Sequence, residues 1–528
     1  MSTNWDAIVI GSGFGGAVSA CRLAEKGLAK ILVLERGRRW EPDHYPRRQS
    51  NAWLWDQNAP ELLNGWIDLR IFDDMIVAQG AGVGGGSLIY ANVSVEAKPE
   101  AFRSGWPEEI TYQELEPYYE RAGKMLKVRT IPETQLTRRY ELMRDAAHAI
   151  GEGARFRPVP LAVTFDDDWR YDDGDCFSNS RSRKWTNEHG AEQGTCVHCG
   201  ECDIGCQVRA KNTLDVNYLA RAERKFGVQI RELHMAERIS TDGRRYTVDF
   251  QRIDRERRRL VKGSESADRV ILAAGSLGST ELLLRSREQY GTLPNVSPFL
   301  GRNWSSNGDF LTPATYRDRR VSPTQGPTIT CAIDFLDGGA DGQRIFVEDG
   351  GFPNLLRELL GSPEPKAKGR RRVARDWLGQ LIHINDPAAE VMPWFGQGVD
   401  AGNGRLYLGR RWIWPWQREL ALDWDIRDSK AAIDAMVNMH KRLSEATGGT
   451  PHVPATWTLL ENLITPHPLG GCNMGAAPEN GVVNHLGEVF GYPRLYVADG
   501  AIVPRPIGLN PSRTIAALAE RIAERMTI

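Results

Sequence analysis

"DAIVIGSGFGGAVSACRLAEKGLAKILVLERG", residues 6–37, decides the fold. Ala7 to Ile10 is an apolar run of strand length, Ala17 to Lys26 reads as helix, and Ile31 to Leu34 is apolar again. Strand, tight turn, helix and strand in that order make a βαβ unit, with Gly27 ending the helix. Within the turn, Gly11 permits a sharp bend, Gly13 lets backbone approach a pyrophosphate at the helix N-terminus, and Gly16 lets helix pack closely on strand. Phe14 and Gly15 complete the same turn. Glu35 ends the second strand 19 residues beyond Gly16, where a carboxylate can accept both ribose hydroxyls. The segment predicts a dinucleotide site and leaves FAD and NAD both open.

Three later stretches favour FAD. "GAGVGGGSLIYANV", residues 80–93, offers Gly80, Gly82, Gly84, Gly85 and Gly86 ahead of Ser87, a backbone able to lie against a large flat ligand. "RVILAAGSLGSTELLLRS" is a buried strand reaching a turn at Ala274-Gly275 before a helix. "GYPRLYVADGAIVPRPIGLNPSRTIAALAERIAERM" repeats strand, turn and helix near the end of the chain. One site assembled from both chain ends suits a long extended dinucleotide.

With these pieces together the chain resembles the glucose–methanol–choline (GMC) oxidoreductases, and within them the cholesterol oxidase-like branch. The resemblance rests on "GVGGGSL", "AAGSLGSTELLLRSREQYGTLPN", "HPLGGCNMG", "LYVADGAIVPRPIGLNPSRTIAALAER", "GRNWSSNGDF" and "AKNTLDVNYLA", and is weakest between about residues 110 and 195. It implies an FAD-dependent alcohol oxidase or dehydrogenase, with His467 as the active-site histidine and Asn510 as its amide partner. Both suit the chemistry: hydride transfer from a carbinol carbon to flavin N5 needs the hydroxyl proton removed and the developing alkoxide stabilised. Glu348, in "RIFVEDG", falls where the sterol-oxidising branch places a proton-shuttling glutamate, with Asp349 adjacent. Asp499 and Gly500 are expected by the flavin's ribityl or pyrophosphate region, Pro511 beside Asn510, and Ala236 at the adenine through its backbone. Tyr90 and Ala91 stand where this branch has Asn-Gly, and Ser512 where it has phenylalanine, which implies a reshaped pocket beside the ring. No histidine matches a covalent flavin attachment point, which implies tightly but non-covalently bound FAD.

The expected fold class is α/β: an FAD-binding, Rossmann-like, doubly wound domain interleaved with a substrate domain built on a mainly antiparallel sheet covered by helices. The FAD domain is expected in three parts, residues 1–45, 211–312 and 465–528, the last carrying the active-site His and Asn. Residues 46–210 form a substrate and lid region that includes the 80–93 and 196–206 segments, and residues 313–464 form the substrate domain. "QLIHIND", "GRLYLG" and "ELALDWDI" alternate apolar with polar residues and predict strands of that domain's sheet, roofing the flavin. In "NAWLWDQNAPELLNGW", Trp53, Leu54, Trp55, Leu62, Leu63 and Trp66 read either as an apolar lid or as core. "KAKGRRRVAR", residues 366–375, reads as a solvated loop or as a weak membrane or acidic-partner patch.

Cys196, Cys199, Cys202 and Cys206 fall in one 11-residue window of a chain with eight cysteines, at the x2, x2, x3 spacing of bacterial ferredoxins. Readings open from sequence are an iron–sulfur cluster, a zinc site, a redox disulfide pair, packed thiols or a catalytic thiol. Some membrane-linked sugar dehydrogenases of the GMC superfamily carry a cluster at a comparable point. Gln207 stands where ferredoxins have proline, and Cys176 is an extra candidate ligand. Cys21, Cys331 and Cys472 read as plain buried thiols.

Lys plus Arg number 67 and Asp plus Glu 68, a net charge of −1, which gives no global field for nucleic acid. With neither a secretory signal pattern nor an apolar run of membrane length, the expectation is a cytoplasmic enzyme. Its expected partners are a small-molecule alcohol and, as electron acceptor, oxygen, a quinone or a redox protein. Two other readings stay open: a non-redox lyase of the same fold, as in hydroxynitrile lyases, and an electron-transfer subunit passing electrons through a cluster.

Overall fold

The computed structural model describes residues 4–47, 51–171, 178–353, 390–410, 418–454 and 463–528. Strand β1 (Asn4–Ile10), helix α1 (Phe14–Glu25) and strand β2 (Ile31–Leu34) form the expected unit. Helix α1 starts three residues before the sequence pattern indicated, because the turn needs only residues 11–13. Its N-cap is Gly13, with no side-chain cap and no acidic residue in the first turn, so the first N–H groups are left for an anion.

The sheet around β1 adds β3 (Gln229–Arg231), β4 (His234–Thr241), β5 (Tyr246–Asp254) and β6 (Arg259–Leu272), in the order β4-β5-β6-β1-β2-β3. Strand β1 runs parallel to both neighbours, Ile8 opposite Leu32 and Val270. Helix α2 (Gly275–Leu284) follows β6, and a short strand, Leu495–Val497, runs parallel beside its end. The opening unit and the two later strand–turn–helix stretches therefore meet in one sheet.

They meet at van der Waals contact. Gly11 has φ +97°, and a Cβ there would stand 2.3 Å from the Ala273 carbonyl oxygen. A Cβ on Gly16 would lie 2.0 Å from Gly11 O, and one on Gly15 2.0 Å from Ala498 O, so α1 is pressed against both later segments. At the other end of α1, Glu520 of the last helix (Ser512–Arg525) accepts from Arg22 at 2.7 Å and from the Tyr218 hydroxyl at 2.6 Å.

The second sheet holds β7 (Phe310–Tyr316), β8 (Cys331–Ala340), β9 (Gln343–Asp349) and β10 (Glu390–Gly398), ordered β7-β10-β9-β8 and antiparallel throughout. Short strands Thr450–Pro451 and Phe156–Pro158 close its two edges. Helix Lys430–Ala446 covers one face at Gly396, where a Cβ would stand 2.6 Å from Met436 Sδ. On the other face Leu311 and Phe395, paired across β7 and β10, look into the central cavity.

Two expectations for this region need correction. "GRLYLG" and "ELALDWDI" do not join the large sheet; Arg405–Arg410 and Arg418–Asp423 pair with each other in a separate antiparallel ribbon. Alternation predicts which face of a strand is covered but not which strand it pairs with. The tryptophan-rich stretch splits: Trp66 is core against Trp40 and Tyr45, Trp55 is buried on the cavity wall, and Leu54, Leu62 and Leu63 are exposed. "QLIHIND", the basic run 366–375 and Cys176 lie outside the described residues. Among the described residues no helix is long and apolar enough to cross a membrane.

Gly16→Ala forces a methyl group into backbone, not into a side chain that can swing away. Overpacking of this kind costs about 1–3 kcal/mol. The expected outcome is a lowered melting temperature, and an unchanged one would contradict the close approach of α1 to the β1 turn.

Candidate active site

A cavity of about 1140 Å3 runs from the β1 turn to the apolar face of the second sheet. At its nucleotide end stand Gly11, Gly13, Phe14, Gly15 and Glu35, then Ala236, Ala274 and Gly275. Gly80, Gly85 and Gly86 form its middle wall, and Asp499, Gly500, Asn510, Pro511 and His467 its far end. Three residues expected to touch the cofactor stand behind the wall instead. Gly16 packs on Gly11, a Cβ on Gly82 would meet the Trp40 ring at 2.5 Å, and Ser87 Oγ donates to Gly84 O and accepts from Leu214 N. The turns need these residues; the lining does not.

The donor set fits an extended dinucleotide. Glu35 is buried with one oxygen accepting from Ser12 N and Oγ and the other from Gly37 N. Burial pushes its carboxyl above the usual range, and the Gly37 and Ser12 donors pull it back. Asp499 accepts from Gly275 N, Ser279 Oγ and Ala501 N, so its oxygens hold the cavity wall together instead of reaching across the cavity.

His467 is held by residues that the motif reading missed. Its Nδ1 lies 2.8 Å from Asp309 Oδ1, and its backbone N–H donates to Thr465 Oγ1, which donates in turn to Asp309 Oδ2 at 2.5 Å. Asp309 is buried, and desolvation raises its pKa while the facing imidazole lowers it. Among the described residues His467 Nε2 has no protein partner. The signal was present in "SNGDF", where an acid follows a turn glycine directly before a buried strand.

Asn510 is presented by a loop pinned from Asn307, whose side chain accepts from Ile507 N and Gly508 N and donates to Leu509 O. Behind Asn510 lies Glu348, fully buried, its Oε2 accepting from Gln397 Nε2 at 2.9 Å and Asn510 Nδ2 at 3.4 Å. Among the described residues Glu348 Oε1 and Asn510 Oδ1 have no hydrogen-bond partner. Glu348 does not line the cavity, so it reaches the site only through Asn510. Burial drives its carboxyl well above the usual range. Asp349 points the other way, as strand alternation requires, and pairs with buried Arg139.

Matches to known proteins agree with this architecture. The family model described as GMC oxidoreductase matches residues 178–306 and 414–519, and one described as an FAD binding domain matches residues 6–59. A cholesterol oxidase of Mycobacterium tuberculosis (strain CDC 1551 / Oshkosh) is 31% identical, over 99% of this chain and 91% of its own. The chain is a GMC oxidoreductase of the cholesterol oxidase-like branch. A cholesterol oxidase of Acinetobacter baumannii is 29% identical over 98% of this chain and 93% of its own. The solved pyridoxine 4-oxidase from Mesorbium loti shares the fold, with a TM-score of 0.64 and 17% identity over 99% of each chain. This GMC oxidoreductase is therefore an FAD-dependent enzyme acting on CH–OH donors.

The cysteine run sits beside the flavin cavity. Cys196, Cys199, Cys202 and Cys206 are free thiols, only partly exposed, that line one cavity of about 20 Å3. Among the described residues no three Cys, His, Asp or Glu side chains converge closely enough to hold a single metal ion. Cys21, Cys331 and Cys472 are buried elsewhere, as expected.

In the GMC enzyme, Glu35→Gln removes an anionic acceptor at the nucleotide end of the cavity. Charge-assisted hydrogen bonds contribute about 1.5–3 kcal/mol each, so FAD dissociation from the variant is expected to rise tenfold or more. Titration of apoprotein with FAD reads this, and unchanged affinity would place the ribose away from Glu35.

Proposed function

We propose that the enzyme oxidises a bulky, largely apolar alcohol of the sterol or steroid-like class to its carbonyl, with oxygen, a quinone or a redox protein taking the electrons. The observation that carries this is the His467–Asp309 pair facing an apolar wall of Leu311, Ile329 and Phe395. Bound FAD supplies the hydride acceptor, N5 of its ring. The names of the two cholesterol oxidase relatives support the substrate class, while Tyr90, Ala91 and Ser512 on the wall give this chain its own pocket shape.

His467 is the base. With Nδ1 donating to Asp309, Nε2 carries the free lone pair and takes the hydroxyl proton, and the Asp309 carboxylate stabilises the imidazolium that forms. Asn510 answers the alkoxide. With its pKa raised, Glu348 is a neutral acid; turning the Asn510 amide over lets Glu348 donate to Oδ1 and aims Nδ2 at the developing negative oxygen. Glu348 is thus a positioning residue for Asn510.

Anaerobic mixing with a 3β-hydroxysteroid is expected to bleach the flavin. His467→Ala is expected to slow bleaching by about 10²–10⁴-fold, the range of a lost general base. If no alcohol bleaches the flavin, the oxidoreductase reading falls and a lyase with structural FAD takes its place. Asp309→Asn keeps the shape but removes the charge facing the imidazolium. Its bleaching rate is expected to fall at least tenfold while FAD stays bound; an undiminished rate would deny Asp309 its electrostatic part.

A further inference from the structure

We propose that Asp203 and Thr328 form a second polar subsite in the large cavity, holding a hydroxyl group of the substrate remote from the carbinol presented to His467. The substrate is then a bulky apolar skeleton with a hydroxyl at each end. Its oxidation rests on the reading under Proposed function; capture of the second hydroxyl does not.

Asp203 sits in the short turn Cys202–Ile204, among the clustered thiols, and lines the large cavity although its neighbour Cys202 lines the small one. Its backbone is fixed from outside. The Asp203 carbonyl accepts from Trp66 Nε1 at 3.4 Å, and Arg47 donates to the next two carbonyls, Ile204 O and Gly205 O. The ammonium of Lys211 is close by but donates to Cys202 O at 2.7 Å and Leu88 O at 2.9 Å. Burial pushes the Asp203 carboxyl up to about 6, and the charges of Lys211 and Arg139 pull it back. At neutral pH it is a carboxylate, an acceptor without a proton to give.

Thr328 faces it from the segment that leads into β8. It is buried, 5% exposed, and lines the same cavity. Among the described residues its Oγ1 has no hydrogen-bond partner, so it lies near enough to act on the Asp203 carboxyl without closing a bond to it. Buried Arg139 sets its position, donating to Gln325 O, Pro327 O and Thr328 O. An unpartnered buried hydroxyl beside a carboxylate is unfavourable until something bridges the two.

A hydroxyl is the group that fits this gap, because it donates to the carboxylate and accepts from Thr328 Oγ1. A carbonyl can only accept and turns its oxygen towards the carboxylate. An ammonium brings positive charge where Lys211 and Arg139 already act on the carboxylate. The spacing suits a long skeleton. His467 stands against Phe395 of β10, ring centres 6.4 Å apart, and Thr328 leads into β8, two strands further along the order β10-β9-β8. Two strand spacings separate the ends by about 10 Å. Phe395 at one end and Ile329 at the other continue the apolar wall over that span.

Four matched steroids test the subsite. Each carries the 3β-hydroxyl and, on the ring farthest from it, a hydroxyl, a hydrogen, a keto or an amino group. Anaerobic bleaching of the holoenzyme's flavin at low steroid concentration is expected to favour the dihydroxy compound by about 10- to 100-fold, the effect of one charge-assisted hydrogen bond. Thr328→Val is expected to lower that preference roughly fivefold or more. Asp203→Asn gains an amide donor, so it is expected to narrow the gap between the hydroxyl and keto compounds most, a change of specificity that a merely structural role does not produce. Equal bleaching by all four, a preference for the keto or amino compound, or a preference that survives both substitutions would overturn the subsite. If the variants do not fold, the comparison on the unaltered enzyme still decides. If none of the four bleaches the flavin, the alcohol-oxidising reading falls and the subsite is read by binding alone. Oxidised holoenzyme is then titrated with 3-ketosteroids that have or lack the far hydroxyl, followed by flavin absorbance. Tighter binding of the hydroxylated compound by the same factor upholds the subsite; equal binding, or none, overturns it.

Discussion

The buried carboxylate of Asp499 is the constraint on which the site depends. It accepts from Gly275 N, Ser279 Oγ and Ala501 N, so one side chain fastens the turn after β6 to the returning end of the chain. Burial raises its pKa and the three donors lower it, so its charge is tolerable only while both segments stay in place. On the other side Gly11 and Gly15 let α1 touch Ala273 and Ala498 without a side chain between. Segments more than 200 residues apart in sequence thereby enclose one cavity. The C-terminal segment that closes the nucleotide end also places Asn510 at the far end of the same cavity, so one piece of chain borders both ends.

Two buried acids stand behind His467 and Asn510, and their surroundings differ. Asp309 is engaged on both oxygens, by His467 and Thr465, which suits a charged partner for an imidazolium. Glu348 has only amide donors on one oxygen and an unpartnered second one, which suits the neutral acid. The pairing resembles other sites where environment pushes two like groups to opposite protonation states. Neither acid borders the flavin cavity, so hydrogen-bond geometry and not contact gives them their influence.

Sequence carried the nucleotide half well because its requirements are local. A tight glycine turn and an acid at a strand end are short-range features, and the structure puts both where "GSGFGG" and Glu35 indicated, with the helix starting three residues earlier. What was illegible was partnership. Alternation in "GRLYLG" and "ELALDWDI" spoke of strands but not of the separate ribbon they make. Glu348 and Asp349 are neighbours in sequence with opposite fates, settled by which face of β9 meets Asn510 and which meets Arg139. Gly16 lets the helix pack closely as its place in the turn indicated, whereas the group lying against Gly82 is the Trp40 ring and not a flat ligand. Asp309 was passed over because its importance lies in a contact 158 residues away.

The same distinction bears on the cysteine run. Spacing shows that four thiols are close in sequence; the structure adds that the loop carrying them cannot be remodelled apart from the flavin wall. Lys211 is the reason. Its buried ammonium has two carbonyl acceptors, Leu88 O from the glycine-rich wall and Cys202 O from the cysteine loop, and burial lowers its pKa to about 8. Moving either carbonyl strands a buried cation, a cost of several kcal/mol if it stays charged. Arg47 repeats the restraint on the outer side, donating to Ile204 O and Gly205 O. The ties hold the cysteine loop at a fixed place against the wall of the large cavity.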